Sequence, residues 1–268
     1  MSILEEIVNH KKMEVADSLN HQSAAQLEAQ AEGITVQNDF KEALRAPSNS
    51  GVRLIAEIKH KSPSRGNLNL DFNPQLLAKI YAENGASAIS VLTDKKYFGG
   101  SLDILKSVKA MNLGVPLLRK DFIFDRYQIL EARAAGASAV LLIVAILNHH
   151  QLEDLIFECQ QLSLTPLVEV HDESELELAL SADAEVIGIN NRNLHDFSVN
   201  LETSLRLAEL CPPETIKVAE SGINSVEDLQ KLAAAKIDAV LVGEALVTAL
   251  DIASKVRSLT NMTQEYEN

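Results

Sequence analysis

The chain is expected to fold as an α/β protein of the (β/α)8 type, a TIM barrel that carries an N-terminal helical extension. Three observations predict this. From Leu54 onward, eight short apolar runs alternate with longer amphipathic stretches; each run is too short for a helix and too uniformly apolar to face water on one side, as befits a parallel strand covered on both faces. The joints between helix and strand recur in kind. A length of 268 residues suits one such barrel, which occupies about 250 residues, and leaves no room for a second.

Residues 1 to 50 stand outside the repeat, with helical patterns near Ile3–Leu19 and Ser23–Glu32, a short one at Phe40–Leu44, and then a loop rich in Pro and Ser. They read as an extension packed on the barrel. The strands follow over residues 51–258 as Leu54–Lys59, Ala88–Thr93, Pro116–Lys120, Ala139–Val144, Pro166–Val170, Val186–Asn190, Lys217–Glu220 and Ala239–Val242. Helix starts are marked by Asn73-Pro74, Asp125 with Gln128, Asn148 with Gln151 and Asp172 with Glu175, all capping-box or proline-first patterns. Helix ends are marked at Asn84-Gly85 and Ala135-Gly136, where glycine supplies the left-handed residue that stops the helix, and at Ala235-Lys236. The last ten residues, 259–268, have no periodicity and are expected to fray. The whole chain therefore reads as a single domain.

Composition narrows the function. Hydrophobic residues make up 46% and charged residues 23% of the chain, which permits a large core and excludes disordered and fibrous classes. A net charge of −14 without any Lys/Arg-rich run argues against binding nucleic acid or an anionic membrane surface. The longest apolar run, Ala137 to Leu147, is far shorter than the roughly 20 residues a membrane helix needs, and the N-terminus lacks a signal-peptide pattern. A cytoplasmic location is the default expectation. Cys159 and Cys211 have neither Cys nor His at metal-ligand spacing, so neither a disulfide nor a metal site is expected.

In a parallel barrel the active site lies at the C-terminal ends of the strands. Polar groups gather there: Glu57 and Lys59 after the first strand, Lys120-Asp121 after the third, Glu169 after the fifth, Asn190-Asn191-Arg192 after the sixth, Glu220-Ser221-Gly222 after the seventh and Gly243 after the eighth. Glu57 and Lys59, two apart, share one face of their strand. Lys59, Lys120 and Arg192 collect cations in an otherwise acidic protein, which suits a small anionic substrate. Ser221-Gly222 and Gly243-Glu244 allow close backbone approach at the usual phosphate position of such barrels. A sugar phosphate with a second anionic group would use all of these.

Five segments together carry a family resemblance: Ile55-Ala56-Glu57-Ile58-Lys59 running into Ser62-Pro63-Ser64-Arg65-Gly66, Leu118-Arg119-Lys120-Asp121-Phe122, Leu167-Val168-Glu169-Val170-His171, Ile187 to Leu194, and Ala219-Glu220-Ser221-Gly222-Ile223. In this order they resemble indole-3-glycerol-phosphate synthase, over about residues 1 to 258 and including Ile3 to Val8 and Lys11 to Val15. The resemblance implies a carboxy-lyase of tryptophan biosynthesis that cyclises, decarboxylates and dehydrates 1-(2-carboxyphenylamino)-1-deoxyribulose 5-phosphate, without cofactor or metal. It implies that Lys120 protonates the ketone and that Glu169 stabilises the cation and serves in acid/base steps. Lys59 would hold the anthranilate carboxylate, Glu57 and Asn190 would orient these groups, and Arg192 and Glu220 would assist. Ser62, Ser221, Gly222, Gly243 and Glu244 would bind phosphate, although many members carry Ser in place of Glu244, which leaves that position a backbone contact only. Phe122, Leu141 and Leu194 would line the ring pocket.

A catalytic lysine must hold a proton yet release it, and neighbouring cations would lower its pKa toward neutrality. His171 precedes the Asp172 cap and reads as a loop-packing residue, and His149 and His150 as solvated. Alternatives are phosphoribosylanthranilate isomerase, which would want a Cys base where Glu57 and Lys59 stand, a Schiff-base aldolase, and a non-catalytic binding barrel. The sequence leaves open whether the chain is a monomer or makes transient contact with other enzymes of the tryptophan pathway.

Overall fold

In the computed structural model, which describes residues 2–34, 39–62, 66–68, 72–193 and 197–260, eight strands close into a parallel barrel with each bonded to its two neighbours. They are β1 (Arg53–Ile58), β2 (Ala88–Leu92), β3 (Leu117–Lys120), β4 (Ala139–Ile143), β5 (Thr165–Val170), β6 (Val186–Asn190), β7 (Ile216–Glu220) and β8 (Ala239–Val242). The expected strands agree to within one residue at each boundary. Lys59 lies just past β1, Thr93 just past β2, and Val144 begins a short 3-10 turn, Val144–Ile146. A two-residue hairpin, Lys61–Ser62 with Gly66–Asn67, follows β1 outside the barrel.

Helix starts follow the sequence signals. Asn73, Asp125 and Asn148 each cap their helix, the last two with a full capping box. Asp172 caps Glu173–Ser181 by accepting from the Glu175 amide, but the Glu175 carboxylate does not complete the box; it turns to His171 instead. Gly85 and Gly136 stop their helices at positive φ, and Lys236 does the same at φ 59° without being glycine. The last helix, Ile252–Thr260, is longer than expected: Leu259 is fully buried, and Thr260 Oγ1 donates to the Asn84 carbonyl. Frayed ends do not bury a leucine. Residues 261–268 lie outside the described part of the chain.

The barrel interior is filled from below. Inward positions of the strands supply Ile55, Ala88, Leu118, Ala139, Leu167, Val218 and Ala239 to one buried cluster, and Phe40 and Leu44 of helix α3 (Phe40–Arg45) plug its lower end. Each fully buried side chain of this size contributes about 2 kcal/mol of burial. Two residues further along the same inward series the character switches from apolar to polar, as Ile55 gives way to Glu57, Leu118 to Lys120, Leu167 to Glu169 and Val218 to Glu220. One alternation thus builds both the core and the wall of the mouth.

Helices α1 (Ile3–His21) and α2 (Ala24–Glu32) complete the extension. Helix α1 crosses the mouth and is fixed there by a buried lysine. Lys11 Nζ lies 2.7 Å from Glu14 Oε2, 3.0 Å from Asp94 Oδ2 and 3.1 Å from Asp121 Oδ1. Asp121 also accepts from Thr93 and Arg119. Burial opposes the charge on Lys11, but Asp121, Asp94 and Glu14 outweigh it and raise its pKa. Removing one member of a buried ionic cluster strands the others. Lys11→Met is therefore expected to cost about 3 kcal/mol of stability, read as a lower urea midpoint at unchanged slope; a loss below about 1 kcal/mol would show that the cluster does not anchor α1.

Candidate active site

The mouth encloses a cavity of about 630 Å3. Glu57, Lys59, Lys120, Glu169, Asn190, Arg192 and Glu220 all line it, and so do Phe122, Leu141, Ser221, Gly222, Gly243 and Glu244. Leu194 lies outside the described residues, as does the side chain of Ser62, whose backbone stands in the short hairpin.

The centre of the site is Lys120. Its ammonium lies 3.2 Å from Glu169 Oε2 and 3.0 Å from Glu220 Oε2, while its side chain remains 14% exposed. The lysine therefore spans the mouth from β3 to β5 and β7. Burial works against its charge, but the carboxylates of Glu220, Glu169 and Glu57 outweigh burial and raise its pKa. Neighbouring cations were expected to lower it; the neighbours are carboxylates, and the shift runs the other way.

The two carboxylates are not equivalent. Burial opposes the Glu169 anion, yet Lys120, His171 and Asn190 outweigh it and hold Glu169 well below the usual carboxylate range. Glu220 shares the same lysine, but burial and the charges of Glu169 and Glu57 push it up to about 7. Its other oxygen, Oε1, is buried without a hydrogen-bond partner. Two acids sharing one cation thus divide into one fixed anion and one that exchanges a proton near neutrality.

Glycine makes room for this arrangement. A Cβ on Gly188 would stand 2.3 Å from Glu220 Oε1, and a Cβ on Gly243 would stand 2.4 Å from Glu57 Oε1. Each carboxylate occupies the volume that a neighbouring strand leaves empty. Across the mouth Lys59 Nζ contacts Glu57 Oε1 at 2.7 Å, which confirms the shared strand face. Asn190 Oδ1 accepts from the Arg192 amide, and Arg192 Nη1 donates to the Phe197 carbonyl. Ser221 and Gly222 both take positive φ, 66° and 79°.

Some of the lining residues were not expected. Ile3, Leu4 and Ile7 of α1 and Phe98 supply an apolar side to the cavity, with the Phe98 ring 6.0 Å from that of Phe122. The pattern of α1 showed that it was amphipathic but not which surface it covers. His171 is more than a loop packer, since its Nε2 lies 3.4 Å from Glu169 Oε1. His149, His150 and Glu153 form, among the described residues, one cluster whose ligand atoms lie within 4.8 Å of one another; they begin a surface helix and do not line the cavity. Cys159 and Cys211 are unpaired thiols.

A sequence model of the family described as indole-3-glycerol phosphate synthase matches residues 4–259. The chain belongs to that family. Indole-3-glycerol phosphate synthase of Chlorobium chlorochromatii is 47% identical over 97% of this chain and 99% of its own, and that of Dehalococcoides mccartyi strain CBDB1 is 52% identical over 78% of this chain and 81% of its own. Among solved structures, 3-hexulose-6-phosphate synthase from Salmonella typhimurium superposes with a TM-score of 0.65 at 15% identity, covering 78% of this chain and 97% of that one, which speaks for the shared fold alone. The indole-3-glycerol phosphate synthase match spans α1 as well as the barrel, so the lysine that fixes α1 over the mouth belongs to the matched region.

Proposed function

We propose that this indole-3-glycerol phosphate synthase carries out its ring closure on Lys120, with Glu169 and Glu220 as its two acid/base partners. The observation that carries the reading is the position of one ammonium group between two unlike carboxylates on the inner wall of the barrel. As the aromatic carbon of 1-(2-carboxyphenylamino)-1-deoxyribulose 5-phosphate attacks the ketone, negative charge develops on the carbonyl oxygen, and the Lys120 ammonium donates a proton to it. The carboxylate then leaves as carbon dioxide, which restores the aromatic ring. A second proton from the recharged Lys120 carries the new hydroxyl off as water, and Glu169 takes the proton lost from the neighbouring carbon as the pyrrole double bond forms.

The fixed anion of Glu169 stabilises the cationic intermediate, and Glu220, which exchanges its proton near neutrality, returns a proton to Lys120. Lys59 holds the anthranilate carboxylate, Glu57 keeps that ammonium in place, and Asn190 steadies Glu169. Phe98, Phe122, Leu141 and Ile7 take the aromatic ring. Backbone amides around Ser221-Gly222 and Gly243-Glu244 take the phosphate, with Arg192, which lines the same cavity, and Ser62, which follows β1, assisting. The working compartment is the cytoplasm; no described helix is long and apolar enough to cross a membrane. A Schiff-base aldolase needs a neutral amine as nucleophile, and the three carboxylates around Lys120 keep it charged, so that reading loses ground.

The direct test incubates the purified protein with the substrate, without metal or cofactor, and follows indole emission. The background is low because the chain has no Trp. Growth of emission is expected; its absence from folded protein with intact substrate overturns the reading. The pH profile tests Glu220. Above about pH 7 its carboxylate ionises, leaving less acid to reprotonate Lys120 and a second negative charge that holds the lysine's proton more tightly. The rate of the wild type is expected to fall through that pH, and the step near 7 is expected to vanish in Glu220→Gln. A step that survives in the variant would assign the titration to another group.

A further inference from the structure

Glu169 and a further, half-buried acid, Glu175, flank a ring that the catalytic reading leaves unused. His171 follows β5 by one residue and continues the inward series of Leu167 and Glu169. Its Nδ1 lies 2.9 Å from Glu175 Oε2, and the same oxygen accepts from its backbone amide at 2.8 Å. Its Nε2 is buried and lies 3.4 Å from Glu169 Oε1, an ion-pair distance without the alignment of a hydrogen bond. Both ring nitrogens therefore face carboxylate oxygens. A neutral imidazole carries one N–H and one lone pair, so one of these contacts would set a lone pair against an anion. Only the doubly protonated ring satisfies both.

We propose that His171 and Glu175 are positioning residues of the synthase: Glu175 keeps His171 an imidazolium, and this cation keeps the Glu169 carboxylate ionised and aimed at Lys120. The proposal rests on the role given to Glu169 above. The helix Glu173–Ser181 gives up the second half of its capping box to make this possible, since the Glu175 carboxylate serves His171 and not the cap. Glu169 is thereby gripped from two sides, Lys120 at Oε2 and His171 at Oε1. The charged groups that face the ring are Glu169 on its own strand, Glu175 on the following helix and Asp172 at that helix's cap, whose own pKa the His171 charge helps to lower; Lys120 on β3 stands beyond Glu169. Among the described residues no cation pairs with the same two acids on the His171 side. In keeping with this, burial disfavours the charged ring but Glu169 and Glu175 overcome it and push His171 up to about 10.

The arrangement makes Glu175 matter for the rate although Glu175 does not line the cavity. Glu175→Gln removes one of the two anions, so the pKa of His171 is expected to fall below about 8. At about pH 8.5 the variant should then lose roughly tenfold in kcat with KM nearly unchanged, and at about pH 6, where its imidazole is charged again, most of that loss should be recovered. A purely structural role would lower the rate equally at both values. The titration of His171 is read directly by NMR of histidine-labelled protein, with the signal assigned by its loss in His171→Asn.

Three results are decisive. A wild-type His171 that stays charged through about pH 9, together with recovery of the variant at low pH, supports the proposal. A wild-type midpoint near the ordinary value of about 6.5 overturns it, whether or not the variants fold. A loss in Glu175→Gln that is the same at both pH values also overturns it, while Glu169→Gln with a normal rate would overturn the role of Glu169 itself and leave the charge of His171 intact.

Discussion

Lys120→Ala is expected to lower kcat by about four orders of magnitude, equivalent to about 5.5 kcal/mol of transition-state stabilisation. The ammonium supplies two things at once, a proton for the developing alkoxide and a positive charge in a water-poor mouth. Ala offers neither, and no second lysine is in ion-pair contact with both Glu169 and Glu220 among the described residues. The fold should survive. Loss of the cation brings two buried carboxylates into direct conflict, but Glu220 already exchanges its proton near neutrality, so it can take up a proton and cancel the excess charge. The measurement is single-turnover indole emission on protein whose urea midpoint has been checked. Residual turnover above about one part in a hundred would take the acid role from Lys120.

Glu169→Gln is expected to lose about a thousandfold in kcat while KM changes less than about threefold. The substitution keeps the shape but removes a carboxylate of the mouth that Lys120, His171 and Asn190 hold ionised against the cost of burial. A neutral amide gives no stabilisation to a cationic intermediate. It also relieves Lys120 of one of the charges that raise its pKa, so the variant should bind substrate through a lysine that is, if anything, more acidic. The loss therefore falls on the chemical step. A variant with near-normal kcat and a raised KM would make Glu169 a binding group.

The strands were legible because many of their boundaries are marked: a cap or a Pro starts the neighbouring helix, or a left-handed residue ends it, as at Asn73-Pro74 and Gly136. The polar ends of the strands were legible for a similar reason. Glu57, Lys120, Glu169 and Glu220 each sit two residues beyond an apolar inward position, so the strand period alone places them on one wall. What the sequence could not show is which charges meet across strands. Lys120, Glu169 and Glu220 come from three strands separated by whole βα units, and only closure of the barrel sets two acids on one lysine and so reverses the expected direction of its pKa shift. The same limit hid Lys11. A lysine on an amphipathic helix normally faces water, and nothing local to α1 announces that Asp94 and Asp121 will meet it in the interior. Gly188 was visible inside a strand and Gly243 just past one, but the carboxylates that fill their missing side chains come from other strands.

The anchoring of α1 has a consequence for how the molecule is made. Helix α1 leaves the ribosome before every strand of the barrel, yet the two aspartates that hold Lys11 follow β2 and β3, and Asp121 directly follows Lys120 in the chain. Until those strands have emerged, the helix carries a cation destined for burial with only Glu14 of its own helix to pair with, and its apolar face has no mouth to cover. Docking of α1 is therefore among the last events of assembly, a long-range closure that arrives after the local βα pairs have formed. A nascent chain halted before β3 would hold α1 in solvent, and completion of the catalytic centre and shelter of α1 would arrive together.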